Sequence, residues 1–273
     1  MHRLFVAYKP TNISSNQFLS KLKRKYHVKK AGFSGTLDPF ACGVLIVAFG
    51  KYTKLFRFLK KSPKTYQATL WLGTTSPTLD IEKVQKITPI KPISKTDIKN
   101  TLQSFKGEIE YFPPKYCAKK VDGKRAYTLA RESLEVDLKK IKSTIFDIKL
   151  LHYSHPFITF EITISEGGYI RSIANLIATQ LGYDGILSYL KRVKEGEFIY
   201  ENEKALNPIE YLNIKENFYL KDPIDIILGK KLQLKEFKIT KNGIYFINLD
   251  KMLSIIEIKD EKVSYLINGV TIC

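Results

Sequence analysis

The residues most suggestive of chemistry lie in the turn Gly35-Thr36-Leu37-Asp38-Pro39, which carries one carboxylate. Gly and Pro favour a turn at this point, and the apolar run from Val44 to Phe49 that follows is typical of a buried strand. A turn directly before a core element can hold a side chain at a fixed position above the fold. Asp38 is therefore a candidate nucleophile, although an Asp before Pro also commonly forms an Asx turn or caps a helix.

Tyr169 and Arg171 lie at a predicted junction between a strand and a helix. Residues 157–165 alternate as a strand does, two glycines interrupt the pattern, and residues 172–181 have helical spacing. Because the junction is expected to be extended, side chains two residues apart should point the same way. An arginine beside Asp38 would keep that carboxylate ionised, as attack on an electrophilic carbon requires.

Other catalytic and ligand-binding patterns have little support. The four histidines include one HxxH, His152 to His155, with no third ligand at a convincing spacing, so we expect no metal. No glycine-loop motif for a dinucleotide or a nucleotide phosphate is present, so we expect no cofactor. Cys42, Cys117 and Cys273 form no CxxC pattern and predict free thiols in a reducing, cytoplasmic compartment.

The composition favours a soluble protein with an anionic partner. The chain has 273 residues, 44% of them hydrophobic, with no apolar run of transmembrane length and no signal-peptide pattern at the N-terminus. Lys and Arg number 45 against 27 Asp and Glu, which gives a net charge of +18. Such an excess most often indicates nucleic acid, although a Lys-rich genome would also raise the charge.

Several segments have the periodicity of elements that would position the candidate residues. Residues 14–26 predict a capped helix, and the cations between Lys21 and Lys30 predict a basic surface next to the Asp38 turn. Residues 65–73 alternate as a strand, with Tyr66 on its apolar side. The remaining predictions are a loop over 77–95, a helix over 96–105, and short strands at 243–249, 253–258 and 263–267.

The segment YFPPKYCAKKVDGKRAYTLARES, from residue 111 to residue 133, is different in kind. Its prolines, cations and tyrosines, with a turn at Val121-Asp122-Gly123, do not describe a core element. Aromatic residues interleaved with cations suit contact with an RNA backbone and exposed bases. An ordinary surface hairpin is the alternative.

Motifs along the chain resemble, in order, those of the TruB-type tRNA pseudouridine synthases. GFSGTLDPFACGVL with the later GKYTK resembles their GHTGxLDPxAxGxL…GxxTK motif, and PPKYCAKKVDGKRAYTLAR resembles PPxYSAxKxxGxRxYxxAR. EGGYIRSIANLIATQLG and YLKRVKEGEF are similar to KGTYIRxLxxDLGxxLG and LRRxxxGxF, and KPTNISSN matches the opening KPxGxSS. The blocks span approximately residues 5–200.

The resemblance implies an isomerase that converts uridine at position 55 of the tRNA TΨC loop to pseudouridine, without metal or cofactor. Asp38 matches the nucleophile of the family, and Arg171 matches the arginine that pairs with it. Tyr66 matches the tyrosine that stacks on the target base and is often proposed as the general base at C5. A base inside a folded loop must be flipped out before such residues can reach it.

The same resemblance implies substrate-binding residues. Tyr169 and Leu190 match residues that line the uracil pocket, and Lys9 belongs to the opening motif that supports the aspartate loop. Phe33 stands where the family usually has His, and we expect it to stack in the space that the flipped base leaves.

Other positions depart from the family pattern. Cys117 replaces Ser, and Lys119 replaces an apolar residue. TTSPTLD replaces the usual TDTxD, so the sequence leaves the role of that loop open.

The fold implied is α+β, with a long mixed, largely antiparallel sheet flanked by helices and the active cleft across it. Residues 1–228 would form the catalytic domain, with a thumb-like RNA-binding insert at about 112–135, and residues 229–273 a small β-rich, PUA-like appendage. The expected partner of this monomer is the T-arm stem-loop of tRNA, with no membrane. The alternatives are a non-catalytic tRNA-binding or folding chaperone on the same fold and the guide-dependent archaeal and eukaryotic branch, which the short C-terminal part disfavours.

Overall fold

The computed structural model describes residues 1–117, 119–121, 123–132 and 137–272. Three expectations concern residues outside these ranges: Asp122 in the predicted turn, the last part of the thumb-like insert at 133–135, and the thiol of Cys273. Cys42 and Cys117 are buried free thiols, as expected.

Within the described residues, most of the regular structure is β-strand, with short helices between groups of strands. The strands are β1 (Arg3–Lys9), β2 (Ala31–Ser34), β3 (Cys42–Phe49), β4 (Lys64–Leu72), β5 (Thr74–Thr75), β6 (Lys86–Ile87), β7 (Gly107–Tyr111), β8 (Lys120–Val121), β9 (Lys124–Arg125), β10 (Ile141–Ser154), β11 (Phe157–Ile164), β12 (Gly185–Glu195), β13 (Ala205–Leu206), β14 (Lys215–Glu216), β15 (Gly243–Leu249), β16 (Met252–Lys259) and β17 (Lys262–Thr271). The α-helices are α1 (Ser15–Lys25), α2 (Lys95–Ser104), α3 (Ala126–Arg131), α4 (Ile170–Gln180) and α5 (Ile224–Ile227), and 3-10 helices cover Gly50–Phe58, Pro208–Tyr211 and Leu234–Glu236. None of these helices is long and apolar enough to cross a membrane.

The main sheet confirms the predicted α+β class. Its strand order is β13-β1-β3-β12-β4-β11-β10-β7, with β2 also paired to β3. Within the described part of this sheet, β3 and β12 are the parallel pair and the other neighbours are antiparallel. The parallel contact sets Arg192 opposite Gly43, so the end of β12 lies beside the start of the strand that follows Asp38.

Strand β4 alternates as its sequence predicts. Tyr66, Ala68, Leu70 and Leu72 are all buried in the core that includes residues of α2 and α4. In the sheet register, Tyr66 lies opposite Arg192 of β12. The alternation therefore places Tyr66 on the side of the sheet that the helices cover.

Helix α1 confirms the predicted capped helix. Ser14 caps it and forms a capping box with Gln17, which satisfies backbone N–H groups of the first turn. Ser15 Oγ donates to the Leu37 carbonyl and accepts from the Leu37 N–H, each at 3.0 Å. The start of α1 is therefore hydrogen-bonded to the turn that carries Asp38.

The predicted C-terminal strands form a second sheet in the order β14-β15-β16-β17. One of its apolar faces packs on the main sheet: Phe246, Leu253 and Ile255 share a cluster with Leu4 and Ile46. Strand β14 precedes residue 229, so this sheet draws on chain from before the predicted boundary. The boundary at 229 and the thumb-like insert stay predictions.

Candidate active site

Asp38 and Arg171 form an ion pair with two contacts. Arg171 Nε lies 2.9 Å from Asp38 Oδ2, and Arg171 Nη2 donates to Asp38 Oδ1 at 3.2 Å. The Arg171 side chain is only 4% exposed, whereas that of Asp38 is 34% exposed. The planar guanidinium thus fixes the orientation of a carboxylate that solvent, and a substrate, can reach.

Arg171 reaches Asp38 from the first turn of helix α4. The expectation of an extended stretch around Tyr169 and Arg171 is wrong, because α4 begins at Ile170, two residues earlier than predicted. Tyr169 is the extended N-cap residue, without a side-chain capping bond. Both side chains nevertheless line the same cleft.

A second carboxylate, Asp80, holds Arg171 from the opposite side. Arg171 Nη1 donates to Asp80 Oδ2 at 3.4 Å and to the Thr78 carbonyl at 2.7 Å, while Nη2 donates to the Tyr116 carbonyl at 2.8 Å. Asp80 is itself bound by the Thr78 hydroxyl at 2.6 Å. Burial raises the pKa of the Asp80 carboxyl, and the Thr78 hydrogen bond and the Arg171 charge oppose that rise.

These contacts give a role to the loop that departs from the family pattern. Sequence reasoning did not single out Asp80 or Thr78, which lie in TTSPTLD. The available signal was the final Asp, which TTSPTLD shares with TDTxD. Its partner could not be identified, because Asp80 and Arg171 are 91 residues apart in sequence.

The ion pair opens into a cleft of about 340 Å³. Tyr66 of β4 and Leu190 of β12, on neighbouring strands, lie along this cleft with Tyr169. Burial is the largest cause that raises the pKa of the Tyr169 hydroxyl, and the neighbouring Cys117 thiol raises this pKa further. The Tyr169 N–H donates to the Tyr111 hydroxyl at 2.9 Å, which fixes the start of α4. The cleft therefore combines the Asp38 carboxylate with aromatic and aliphatic walls, and the exposed Glu166 lies along it as well.

Lys9 lies beneath the Asp38 loop. Its ammonium group is fully buried and donates to the carbonyls of Pro10 at 2.8 Å, Ile13 at 2.6 Å and Pro39 at 3.4 Å. Burial lowers its pKa to about 8. Lys9 is not among the residues that line the cleft, and a role for it in substrate binding stays a prediction.

Phe33 lies on β2 and is partly buried. It packs against the apolar cluster formed by α1, β1 and β3, which includes Phe18 and Val47. It is not among the residues that line the cleft. Stacking of Phe33 in the place of a flipped base therefore stays a prediction.

The fold recurs in solved structures of low sequence identity. "Crystal Structure of a Cbf5-Nop10-Gar1 Complex" matches with a TM-score of 0.67 at 19% identity, over 98% of this chain and 83% of that one. "Structure of H/ACA RNP bound to a substrate RNA containing 2'-deoxyuridine" matches with a TM-score of 0.65 at 17% identity, over 99% and 84%. At these identities the likeness concerns the fold, which is α+β with a large mixed sheet.

The sequence matches are closer and define the family. The TruB family pseudouridylate synthase (N terminal domain) matches residues 23–170. "tRNA pseudouridine synthase B" of a Sulfurovum species is 56% identical over 99% of this chain and 98% of its own length. The enzyme of the same name from Campylobacter jejuni (strain RM1221) is 51% identical over the whole of both chains. The chain belongs to the TruB family of pseudouridylate synthases, and it is an isomerase.

Proposed function

We propose that the chain isomerises uridine 55 in the TΨC loop of tRNA to pseudouridine, with Asp38 as the nucleophile. The observation that carries this proposal is the partly exposed Asp38 carboxylate, held in two contacts by the buried Arg171 guanidinium at a cleft. Family membership and the curated relatives' names support tRNA as the substrate.

The reaction rearranges bonds within one nucleotide. The bond between the ribose and N1 of uracil breaks, and a bond from the ribose to C5 forms. C5 loses a proton and N1 gains one, so atoms and electrons balance without an oxidant or a cofactor. Asp38 would attack an electrophilic carbon of the flipped uridine and hold the intermediate while the base turns. The bond from Asp38 to that carbon would break again as the product forms, which regenerates the carboxylate.

The walls of the cleft suit a base that must be held while it turns. Tyr66 would stack on the uracil and take the C5 proton, and Tyr169 and Leu190 would exclude water around it. Tyr66 is only 7% exposed, so a base seated against it would be largely shielded from solvent. Such shielding strengthens the electrostatic contacts between the uracil and the surrounding groups.

A basic surface beside the cleft would receive the RNA backbone. Lys21 and Arg24 are exposed on α1, a helix without an acidic residue whose start is bound to the Asp38 loop. We expect Lys21→Gln with Arg24→Gln to lower the slope of log affinity against log salt by about 0.7–0.9 per lost phosphate contact. Lys95→Gln with Lys99→Gln, two exposed cations on α2, is the matched control. An unchanged slope in the α1 variant would remove α1 from the RNA interface.

The direct test is to map pseudouridine in T-arm RNA after incubation with the purified protein alone. Wild type should convert the one uridine at the TΨC position, and Asp38→Asn should convert none while retaining RNA affinity within a few-fold. Binding without conversion by the wild type would favour the chaperone alternative. Conversion by Asp38→Asn at the wild-type rate would refute Asp38 as the nucleophile. Sedimentation of the free protein and its RNA complex tests the predicted monomer.

A further inference from the structure

Three charged side chains are buried together beneath the turn that precedes Asp38. Glu195 is fully buried, with Lys64 Nζ 3.1 Å from its Oε1 and Arg192 Nη2 3.1 Å from its Oε2. Ser34 Oγ donates to Glu195 Oε1 at 3.4 Å. Burying charges costs free energy, and an apolar cluster of similar volume is often as stable or more so. A contribution to stability is therefore a weak explanation for this cluster.

Arg192 connects the cluster to the segment that carries Asp38. Its Nη2 donates to the Gly35 carbonyl at 2.7 Å, and its Nε donates to the Val44 carbonyl at 2.8 Å. These carbonyls lie on either side of Asp38 in the chain. One guanidinium therefore holds both ends of the segment.

Two glycines bring this segment against Arg192. Gly35 has a φ of +65°, and a Cβ there would lie 2.8 Å from Glu195 Oε1 and from Lys64 Nζ. A Cβ at Gly43 would lie 2.2 Å from the Arg192 carbonyl oxygen. The turn thus rests directly on the charged groups, and a shift of the Arg192 guanidinium would be transmitted to the backbone.

We propose that Glu195 is a positioning residue for Asp38, acting through Arg192. Its carboxylate fixes the guanidinium in the orientation that binds the Gly35 and Val44 carbonyls, and so sets the height of the Asp38 loop in the cleft. Without this carboxylate, Lys64 and Arg192 would be two buried cations without their shared anion, and their repulsion would move the guanidinium away from Gly35. The inference rests on the proposed role of Asp38 as the nucleophile.

The test compares Glu195→Gln with the double variant Lys64→Met/Glu195→Gln. Glu195→Gln should lower kcat on saturating T-arm RNA by about 10- to 100-fold, as a displacement near 1 Å of a reacting group does. KM and RNA affinity should stay within about threefold of wild type, because a loss of positioning acts on the reaction step. The double variant removes one of the two uncompensated cations, and with it their repulsion, and should recover part of kcat. Glu161→Gln, which neutralises an acid paired with Lys149 at another site, is the matched control and should turn over normally.

Each alternative role of Glu195 has its own outcome. A lower melting temperature with kcat per folded molecule within twofold of wild type would mean a purely structural role and overturn the proposal. A raised KM with unchanged kcat would mean contact with RNA and would overturn it also. If Glu195→Gln does not fold, Glu195→Asp keeps the charge but shortens the side chain, and it should show the same loss of kcat; normal kcat there would refute the inference. Turnover by Asp38→Asn at the wild-type rate would instead refute Asp38 as the nucleophile, the part of the proposed function on which this inference rests.

Discussion

Replacement of Arg171 by Lys is the sharpest test of how the ion pair works. Arg171 donates to both oxygens of Asp38 and, at the same time, to Asp80 and the carbonyls of Thr78 and Tyr116. A Lys ammonium keeps the positive charge but has three donors on one nitrogen, in place of five on a planar fork. One ammonium nitrogen cannot reach all the acceptors that bind the three nitrogens of the guanidinium.

The size of the effect follows from the acceptors that lose their donors. At least two of them would be left without a partner in a buried site, at about 1–3 kcal/mol each, or about 2–6 kcal/mol together. Part of this loss destabilises the fold and part releases Asp38 from its fixed orientation. If half of it falls on the reaction step, Arg171→Lys is slower by about 5- to 140-fold, at about 1.4 kcal/mol per factor of ten.

The assay is tritium release from C5-labelled uridine in T-arm RNA, with enzyme in excess so that a single turnover is observed. Denaturant unfolding of the same preparation gives the part of the loss that falls on stability. Arg57→Lys, at an exposed arginine that stacks on Phe58, is the control and should behave as wild type. A single-turnover rate for Arg171→Lys within twofold of wild type would show that charge alone suffices and would refute the argument from geometry.

Three further predictions follow from buried or partly buried groups. Burial lowers the pKa of Lys9 from 10.5 to about 8, so the folded state binds its proton less tightly than the unfolded state does. The contribution of Lys9 to the free energy of unfolding should therefore rise with pH between about 8 and 10.5, by at most about 3 kcal/mol. The measurement compares denaturant midpoints at about pH 7 and pH 10, and Lys9→Met should lack the rise that the wild type shows. If Phe33 stacks on RNA, Phe33→Ala should lower kcat/KM by an amount that corresponds to about 1–3 kcal/mol, and Phe33→His should be tolerated. A Phe33→Ala variant that loses stability but keeps kcat/KM would assign Phe33 to packing against α1. Deletion of residues 229–273 should destabilise the whole chain, because the C-terminal sheet covers apolar residues of the main sheet; a truncated protein with the wild-type melting temperature would contradict this.

Local patterns predicted the elements that carry the site. Strand β4 was recognisable because its residues alternate between a buried and a partly exposed side, and α1 because a capping serine precedes apolar residues at helical spacing. The first residue of α4 was harder to predict from the sequence. Tyr169 offers no side-chain cap, so the sequence carries no signal that separates an extended Arg171 from a helical one.

Contacts between distant segments could not be predicted. In KRVKEGEF the charged residues have the appearance of a solvated surface strand, yet Arg192 and Glu195 are almost completely buried. Their burial depends on Lys64 and the Gly35 turn, which belong to other parts of the chain. A charge pattern along one strand does not reveal which charges find a partner across the sheet.

The Asp38 loop is held by side chains from elements that the chain brings together only on folding. Ser15 of α1 binds Leu37, Lys9 of β1 binds Pro39, and Arg171 of α4 binds Asp38 itself. Each attachment uses a hydrogen bond or ion pair that exists before any substrate arrives, so the orientation of the carboxylate is fixed by the fold. In the proposed mechanism the free energy of RNA binding is then available for unstacking and flipping the uridine, because little of it is needed to arrange the protein.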